Sequence, residues 1–386
     1  MDFDHTPEQQ QLRDAVAGLG KRYGHEYFVR KAKAGEHSDE LWRDAAKLGY
    51  LGVSVPEEHG GGGGGITELA IVCEELAAAG CPLLLLVVSP AIVATIVARH
   101  GTVAQRERWL PSFADGTLKA CFAITEPDAG SNFHRLSTVA VRDGDDYVLT
   151  GRKVYISGVD ECSHVLVVAR MADERTGKLK PALFLVPTDA PGLEASKLDM
   201  EIVSPENQFL LFLDDVRVPA STLVGEDVEA GLPALFSGLN PERITVAAMS
   251  VGTARYALER ASTYTSTRAV WGRPIGSHQG VAHPLAHAHI QTELARLMVA
   301  KAATLYDAGR DLEAGVSANL AKYASSEAAA LAVDTAIQAL GGSGMTTEAG
   351  VSTLLGAVRA GRIAPVSREM ILNFVSQHLL GQEKSY

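Results

Sequence analysis

An acidic and a basic residue, Glu242 and Arg243, stand at the start of a long segment with helical periodicity. A carboxylate that becomes buried has a raised pKa and can then act as a general base near neutral pH. Asn240 and Pro241 precede the pair, and these residue types are typical of a helix cap and a first helical position. Acidic residues near a helix start are also common for stability alone, so the position does not by itself establish catalysis.

Two further segments combine hydroxyl, small and aromatic residues. The first reads Phe122-Ala-Ile-Thr-Glu-Pro-Asp-Ala-Gly-Ser131 and the second reads Gly151-Arg-Lys-Val-Tyr-Ile-Ser157. Small residues and hydroxyls let a planar ligand approach the main chain. Strand alternation predicts that Tyr155 and Ser157 share one face and can meet one flat ligand, while Ile156 enters the core. Taken alone, a turn and a plain strand would explain the same residues.

Other chemistry-bearing residues favour structural roles. The run Gly60 to Gly65 is predicted to be a loop, because it lacks the Lys and Ser/Thr of a phosphate-binding P-loop. His283 and His287 are four residues apart, but Pro284 lies between them, so we expect these residues and His289 to lie on a helix surface and no metal to bind. The cysteines show no paired or metal-binding spacing and are predicted to be buried reduced thiols: Cys73, Cys81, Cys121 and Cys162.

Composition narrows the function classes. Apolar residues make up 46% of the chain, charged residues 21%, and the net charge is -11. A negative charge of this size argues against a nucleic-acid partner. The apolar stretch from Cys81 is interrupted by Pro82, Ser89 and Pro90, which favours a core helix over a membrane span. The acidic, polar start is unlike a signal peptide, so we expect a cytoplasmic protein with no membrane partner.

Three zones follow from the hydrophobic periodicity of the 386 residues. Residues 1–118 are predicted to form a helical domain, with Thr6 as the first helix cap and Pro7 at the first helical position. Residues 119–230 carry short strand patterns between Gly-containing turns and predict an antiparallel β sandwich or barrel. Residues 231–386 carry long Ala-rich helices and predict a four-helix bundle. The expected fold class is therefore α+β.

This order of domains, together with the two segments above, resembles the acyl-CoA dehydrogenase family over nearly the whole chain. Phe122 to Ser131 is similar to the family signature that opens the β domain. The resemblance implies FAD as cofactor, with Phe122, Ile124 and Thr125 at the flavin and Ser131 near both the pyrophosphate and the substrate thioester. Tyr155 and Ser157 take the places of the usual Trp and Thr beside the flavin.

Two more segments resemble family regions that bind the FAD of a neighbouring subunit. Thr267-Arg-Ala-Val-Trp-Gly-Arg-Pro-Ile275 is similar to the motif R-x-x-F-G-x-x-I. The resemblance implies that Arg268 meets the pyrophosphate, that Trp271 stands for the usual Phe, and that Gln279 also binds the cofactor. Gln338, Gly341 and Gly342 match the segment that contacts the ADP part. These segments imply an oligomer, with a homotetramer as the expectation.

The usual C-terminal base of the family, in Tyr-Glu-Gly-Thr, has no equivalent in Arg362-Ile-Ala-Pro-Val-Ser-Arg-Glu-Met-Ile371. There Val366 to Arg368 is expected to face the thioester, with Glu369 out of register. Members similar to isovaleryl-CoA and long-chain acyl-CoA dehydrogenases carry the base on the first helix of the C-terminal domain, and Glu242 falls on that position. The resemblance then implies α,β-dehydrogenation of an acyl-CoA, with Asn240 and Arg243 on the substrate side.

Two other functions stay open from the sequence. A flavin-dependent monooxygenase or nitroalkane-type oxidase on the same fold would also lack the usual glutamate, and its reduced flavin would react with oxygen at once. A dehydrogenase would instead pass its electrons to an electron-transferring flavoprotein, which is the expected partner here. A non-catalytic subunit that serves as a scaffold is the third alternative.

Overall fold

The computed structural model describes residues 5–173, 176–225 and 231–384. The predicted boundary between residues 230 and 231 borders 226–230, which lie outside the described residues. The N-terminal zone is helical, as expected, and its helices are α1 (Pro7–Ala34), α2 (Asp39–Lys47), α3 (Ile66–Ala78), α4 (Thr95–His100) and α5 (Val103–Ala114). Thr6 caps α1, with its hydroxyl accepting from the backbone N–H of Gln9 at 3.2 Å, so the predicted start is confirmed.

The apolar stretch after Cys81 forms a buried helix, with π-helical geometry over Val87–Ala94 and α-helical geometry in α4. Among the described residues no helix is long and apolar enough to cross a membrane. All four cysteines are buried and unpaired, as expected.

The glycine run is a loop, as predicted, and packing explains part of its composition. A Cβ on Gly61 would lie 2.1 Å from the carbonyl oxygen of Val55. A Cβ on Gly65 would lie 2.4 Å from the carboxyl carbon of Asp307, whose carboxylate accepts from the first backbone N–H groups of α3, at Ile66 and Thr67. The loop therefore lets a distant carboxylate cap α3.

The middle zone is one curled seven-stranded sheet. Its strands are β1 (Ala120–Ala123), β2 (Val139–Asp143), β3 (Asp146–Ser157), β4 (His164–Ala172), β5 (Leu179–Pro187), β6 (Leu193–Leu198) and β7 (Gln208–Pro219). The hydrogen-bonded order is β1-β4-β2-β3-β7-β6, with β5 also paired to β4. The β domain is confirmed, but β4 pairs in parallel with β1 and β2, whereas the other pairings in this sheet are antiparallel as predicted.

The C-terminal zone is a helical bundle. Its long helices are α6 (Gly231–Thr267), α7 (Gln279–Asp307) and α8 (Asp311–Leu340), and the last part is divided into α9 (Leu355–Ala360) and α10 (Arg368–Phe374). A short hairpin of β8 (Ala269–Val270) and β9 (Arg273–Pro274) joins α6 to α7. Rows of small residues on the facing sides of α6 and α8, such as Ala254, Ala257, Ala329 and Ala332, are buried. Such small side chains let the helix axes approach closely.

Candidate active site

The segment from Phe122 to Ser131 leaves the sheet at the end of β1. Phe122 is buried, Ile124 and Thr125 are half-buried, and Ser131 is exposed. The backbone N–H of Val154 donates to the carbonyl of Thr125 at 3.0 Å, so β3 holds the segment in place. Among the described residues no group hydrogen-bonds the hydroxyls of Thr125 or Ser131. Two donors of the signature are therefore available to a ligand.

Tyr155 and Ser157 lie at an irregularity in β3. The register with β7 shifts between Lys153 and Ile156, where β3 has one residue more than its partner. Tyr155 takes a left-handed φ of 59° at this bulge, and 62% of its surface is exposed. Ile156 is buried, as predicted, and the hydroxyl of Ser157 donates to Gln208 at 3.0 Å. The bulge brings both Lys153 and Ile156 to the core face, which simple alternation does not predict.

A buried ion pair between Lys153 and Glu126 organises the signature segment. The Lys153 ammonium donates to a Glu126 carboxylate oxygen at 2.9 Å and to the Ile124 carbonyl at 3.0 Å. Glu126 also accepts from the backbone N–H groups of Ser137 and Thr138 at 2.6 and 3.0 Å. Burial would raise the pKa of Glu126, but Lys153 and these hydrogen bonds lower it to about 2. Sequence reasoning missed this pair, because only the bulge turns Lys153 inward.

The start of α6 differs from the prediction. Asn240 is not a helix cap and Pro241 is not a first helical position, because α6 already begins at Gly231 and runs through both residues. Proline has no N–H, so the carbonyl four residues earlier, that of Ser237, loses its helical partner. The hydroxyl of Tyr306 on α7 donates to that carbonyl at 2.8 Å. This contact from another helix offsets the loss and lets α6 continue.

Glu242 therefore lies in the body of α6, facing α8. The residue is half-buried, and among the residues described here none donates a hydrogen bond to its carboxylate. Burial raises the pKa of Glu242 to about 7, although the positive charges of Arg243 and Lys322 act to lower it. A carboxylate with this pKa and free lone pairs is suited to accept a proton near neutral pH.

Arg243 points into the protein. Its guanidinium donates to the side-chain oxygens of Asn319 and Asn240, each at 2.6 Å, and to the carbonyl of Leu239 at 3.0 Å. Burial lowers its pKa to about 10, with Glu242 opposing the shift. Arg243 and Asn240 thus fix the turn that carries Glu242, and a direct contact of either residue with the substrate stays a prediction.

The loop signature and α6 meet at two aromatic rings. Phe133, just after Ser131, makes an edge-to-face contact with Phe236, with ring centroids 6.3 Å apart. Glu242 follows Phe236 by six residues, ~9 Å along the helix at 1.5 Å per residue. The structure therefore brings Ser131 and Glu242 to the same end of α6.

The C-terminal segment supplies no competing buried carboxylate. Glu369 has 73% of its side chain exposed, in the first turn of α10. Ser367 caps this helix, with its hydroxyl accepting from the N–H of Met370 at 3.3 Å. Within the described parts of the chain, the backbone N–H groups of Val366 and Ser367 have no acceptor.

The remaining predicted cofactor residues lie at the other end of the bundle. All six are exposed: Arg268, Trp271, Gln279, Gln338, Gly341 and Gly342. Trp271 occupies the hairpin turn with φ 51° and is 88% exposed. The hydroxyl of Tyr264, one turn before Arg268, lies 3.5 Å from that of Ser343, so both segments meet there. Arg268 follows Phe236 by 32 residues, ~48 Å along α6, and one chain does not bring both groups of residues together.

Among the described residues no cluster of three or more His, Cys, Asp or Glu could hold a metal ion. His283, His287 and His289 are exposed on α7.

Models of three consecutive domains match this chain. They are described as acyl-CoA dehydrogenase, N-terminal domain over residues 6–117, middle domain over 121–209 and C-terminal domain over 229–380. The chain belongs to the acyl-CoA dehydrogenase family. It is 58% identical to acyl-CoA dehydrogenase FadE12 of Mycobacterium tuberculosis, over all of this chain and 99% of that protein.

Solved structures share the fold of this acyl-CoA dehydrogenase. A glutaryl-coenzyme A dehydrogenase in complex with glutaryl-CoA is 28% identical, with a TM-score of 0.93 over all of this chain and 98% of that one. A glutaryl-CoA dehydrogenase from Mycobacterium smegmatis in complex with FADH2 is 26% identical, with a TM-score of 0.89 over 99% of this chain and 96% of that one.

Proposed function

We propose that this enzyme binds FAD and converts an acyl-CoA thioester into the trans-2-enoyl-CoA, with Glu242 as the base that removes the α proton. The observation that carries the proposal is the position of Glu242, which is half-buried, has no hydrogen-bond donor among the described residues and lies near the signature segment. An α C–H of a thioester is a weak acid, so a correctly oriented carboxylate with a raised pKa is the group that the reaction needs.

Bound FAD would accept the hydride that leaves the β carbon as the α proton moves to Glu242. The protein's own task is to hold the α C–H against the carboxylate, exclude water and hydrogen-bond the carbonyl oxygen as it gains negative charge. The free N–H groups of Val366 and Ser367 are candidates for that hydrogen bond. Seating an acyl chain removes further water from Glu242, which makes its carboxylate a stronger base.

The residues present fit a flavin nucleotide. The free hydroxyls of Thr125 and Ser131 supply donors at one end, and the exposed ring of Tyr155 supplies a stacking surface. At the far end Arg268 has no carboxylate or hydrogen-bond partner for its guanidinium among the described residues, and a guanidinium pairs well with a pyrophosphate. Gly341 takes a left-handed φ of 59°, and a Cβ there would meet no atom within 4 Å, so its backbone is open to a ligand.

Arg268 follows Phe236, which contacts the loop after the signature segment, by ~48 Å along α6, and we infer that a second copy of the chain completes the FAD site. An exposed apolar row on α7, formed by Ile290, Leu294 and Leu297, recurs at helical spacing and supplies a surface for association. We therefore propose a homo-oligomer, and the expected form is the homotetramer that the family resemblance implies.

Removing the charge of Arg268 should loosen the cofactor. We expect Arg268→Ala to weaken FAD binding about 10- to 100-fold, because a charge-assisted hydrogen bond contributes about 1.5–3 kcal/mol. Release of FAD on dilution, followed by flavin fluorescence, measures the loss. Arg273→Ala is the matched control, since Arg273 is exposed on the same hairpin. Equal losses in both variants would show that Arg268 has no specific role.

Catalysis should depend on a carboxylate that titrates near neutral pH. Because the pKa of Glu242 is raised to about 7, the base is ionised above that pH and protonated below it. We expect kcat/KM for acyl-CoA to fall about tenfold per pH unit below about 7. Stopped-flow measurement of flavin reduction between pH 5.5 and 8 follows this fall in rate. A rate that stays constant down to pH 5.5 would contradict Glu242 as the base.

Anaerobic titration of the purified yellow protein with acyl-CoAs of different length and branching tests the proposed function directly. Bleaching of the flavin by one class of acyl-CoA, followed by slow reoxidation in air and fast reoxidation by an electron-transferring flavoprotein, is the expected result. Immediate reoxidation in air would favour the oxidase or monooxygenase. Colourless protein that cannot be loaded with FAD would favour a non-catalytic subunit that serves as a scaffold.

A further inference from the structure

The segment between α9 and α10 is fixed by three consecutive contacts from α8. The hydroxyl of Ser326 donates to the carbonyl of Gly361 at 2.8 Å, and Glu327 pairs with Arg362 at 2.8 Å. The ammonium of Lys322 donates to the carbonyl of Val366. Three residues of α8 therefore determine the path of the chain into the segment that is expected to face the thioester.

Lys322 is the least expected of these residues, because its side chain is fully buried. Taking an ammonium out of water is costly unless close partners compensate. Its single hydrogen-bond acceptor among the described residues is the Val366 carbonyl. An apolar residue of similar volume would avoid this cost, so the charge calls for a function other than packing.

Glu242 is among the charged groups that act on this ammonium. Asn319 and Lys322 are three residues apart and share one face of α8. Asn319 accepts from Arg243 at 2.6 Å, which packs the turn of α6 that carries Glu242 against α8. The charged groups that act on Lys322 are Glu242 and Arg243 from α6, Glu327 from α8 and Glu369 from α10. Those that act on Glu242 are Arg243 and Lys322.

Of these neighbours, two already have other partners. Glu327 pairs with Arg362, and Arg243 donates to Asn319 and Asn240. Glu369 is largely exposed to water, which weakens its attraction for Lys322. The carboxylate of Glu242, which accepts no hydrogen bond from the described residues, is thus the carboxylate whose charge is left to balance that of Lys322.

The contact with Val366 also sets the direction of an N–H group. In a trans peptide the C=O and the following N–H point to opposite sides. A Val366 carbonyl held by Lys322 therefore directs the N–H of Ser367 away from α8. That N–H has no acceptor in the described parts of the chain, whereas the hydroxyl of Ser367 is used to cap α10.

We propose that Lys322 is a positioning residue of the active site, which aims the Ser367 N–H at the thioester carbonyl and keeps Glu242 ionised when substrate excludes water. The inference depends on the proposed function, because it assigns Lys322 to the same base and the same carbonyl oxygen. Burial lowers the pKa of Lys322 to about 8, with Glu242 opposing the shift. The charge that assists Glu242 is therefore present below about pH 8 and lost above it.

The test compares kcat/KM profiles of the FAD-loaded enzyme with those of two variants. The wild-type profile should be bell-shaped: kcat/KM should fall below about pH 7, which is the acid limb, and above about pH 8, which is the basic limb. Lys322→Met removes both charge and donor, and should lower the flavin-reduction rate 10- to 100-fold, abolish the basic limb and move the acid limb upward. Lys322→Gln keeps a donor for Val366, so it should lose the basic limb with a smaller drop in rate. Lys301→Met, on the exposed side of α7, is the control and should keep the wild-type profile.

Acetoacetyl-CoA supplies a readout without hydride transfer, because its bound form ionises to an enolate that absorbs in the ultraviolet. The pH at which the bound ligand ionises should rise in Lys322→Met and Lys322→Gln. Unchanged ionisation, or a loss of rate with an unchanged pH profile, would overturn the proposal and leave Lys322 a structural residue.

If the wild type ionises acetoacetyl-CoA but no acyl-CoA bleaches its flavin, the proposed function fails, whereas the role of Lys322 is still tested by the ionisation of the bound ligand. If neither variant folds, Lys322→Arg keeps the charge and a donor at all these pH values, so it should lose the basic limb and keep the acid limb near pH 7; a basic limb that persists near pH 8 in this variant would overturn the proposal.

Discussion

Replacement of Glu242 by glutamine is expected to slow reduction of the flavin by acyl-CoA about 10²- to 10⁴-fold, the range of a lost general base. Glutamine has almost the same shape and cannot accept the proton. Since Glu242 makes no side-chain hydrogen bond with the described residues, the substitution breaks no hydrogen bond among them. The variant should therefore fold, associate and retain FAD, and the loss should fall on kcat rather than on KM.

Single-turnover kinetics with a fixed acyl-CoA measure this loss. Glu369→Gln is the matched control, because Glu369 is the exposed acidic residue beside the usual C-terminal position of the base. That variant should reduce its flavin within about twofold of the wild-type rate, as expected for a surface substitution. The opposite result, with a slow Glu369→Gln and a normal Glu242→Gln, would move the base to α10.

Replacement of Lys153 by methionine is expected to cost about 3–5 kcal/mol of stability, because it leaves the Glu126 carboxylate buried without its counter-charge. Lys153 is fully buried and Glu126 is 3% exposed, so water cannot compensate. The Ile124 carbonyl loses its donor in the same variant, and Thr125 is the next residue. FAD affinity should therefore fall together with the melting temperature.

Thermal unfolding of the apo and FAD-loaded forms separates the two effects. The double variant Glu126→Gln with Lys153→Met should recover part of the stability, because it removes the unpaired charge. Arg152→Met is the control, since Arg152 is the exposed neighbour on the same strand, and its effect should be within about 0.5 kcal/mol. Equal losses for Arg152→Met and Lys153→Met would show that the pair does not stabilise the fold.

Local patterns were sufficient for much of the fold. Thr6 and Pro7 define the start of α1, because a cap depends on residues within one turn. The hydrophobic pattern changes from a helical to a strand period near residue 119, which separates the first two zones. The long Ala-rich helical segments predict the bundle. The segments around Thr125, Tyr155 and Arg268 were also recognisable, because close approach to a ligand restricts residue types over short stretches.

Long-range contacts determined what the sequence did not show. Asn240 and Pro241 have the local signature of a helix start, yet α6 passes through them because Tyr306, far along the chain, satisfies the carbonyl that proline frees. Simple alternation would place Lys153 on the same face as Tyr155, but the bulge at Tyr155 turns it toward Glu126. In both cases a tertiary partner overrides a local preference of about 1–3 kcal/mol.

The sequence by itself determined the family of this protein, its α+β architecture and Glu242 as the candidate base. Only the tertiary structure decided the setting of that residue: burial that raises its pKa to about 7, Arg243 turned inward, and the positive charge of Lys322 on α8, which acts to lower that pKa. The physical reason is that residue type and spacing fix what a side chain can do, whereas its charge state and orientation depend on neighbours from distant parts of the chain. For Glu242 one such neighbour, Lys322, comes from a helix that begins about seventy residues later.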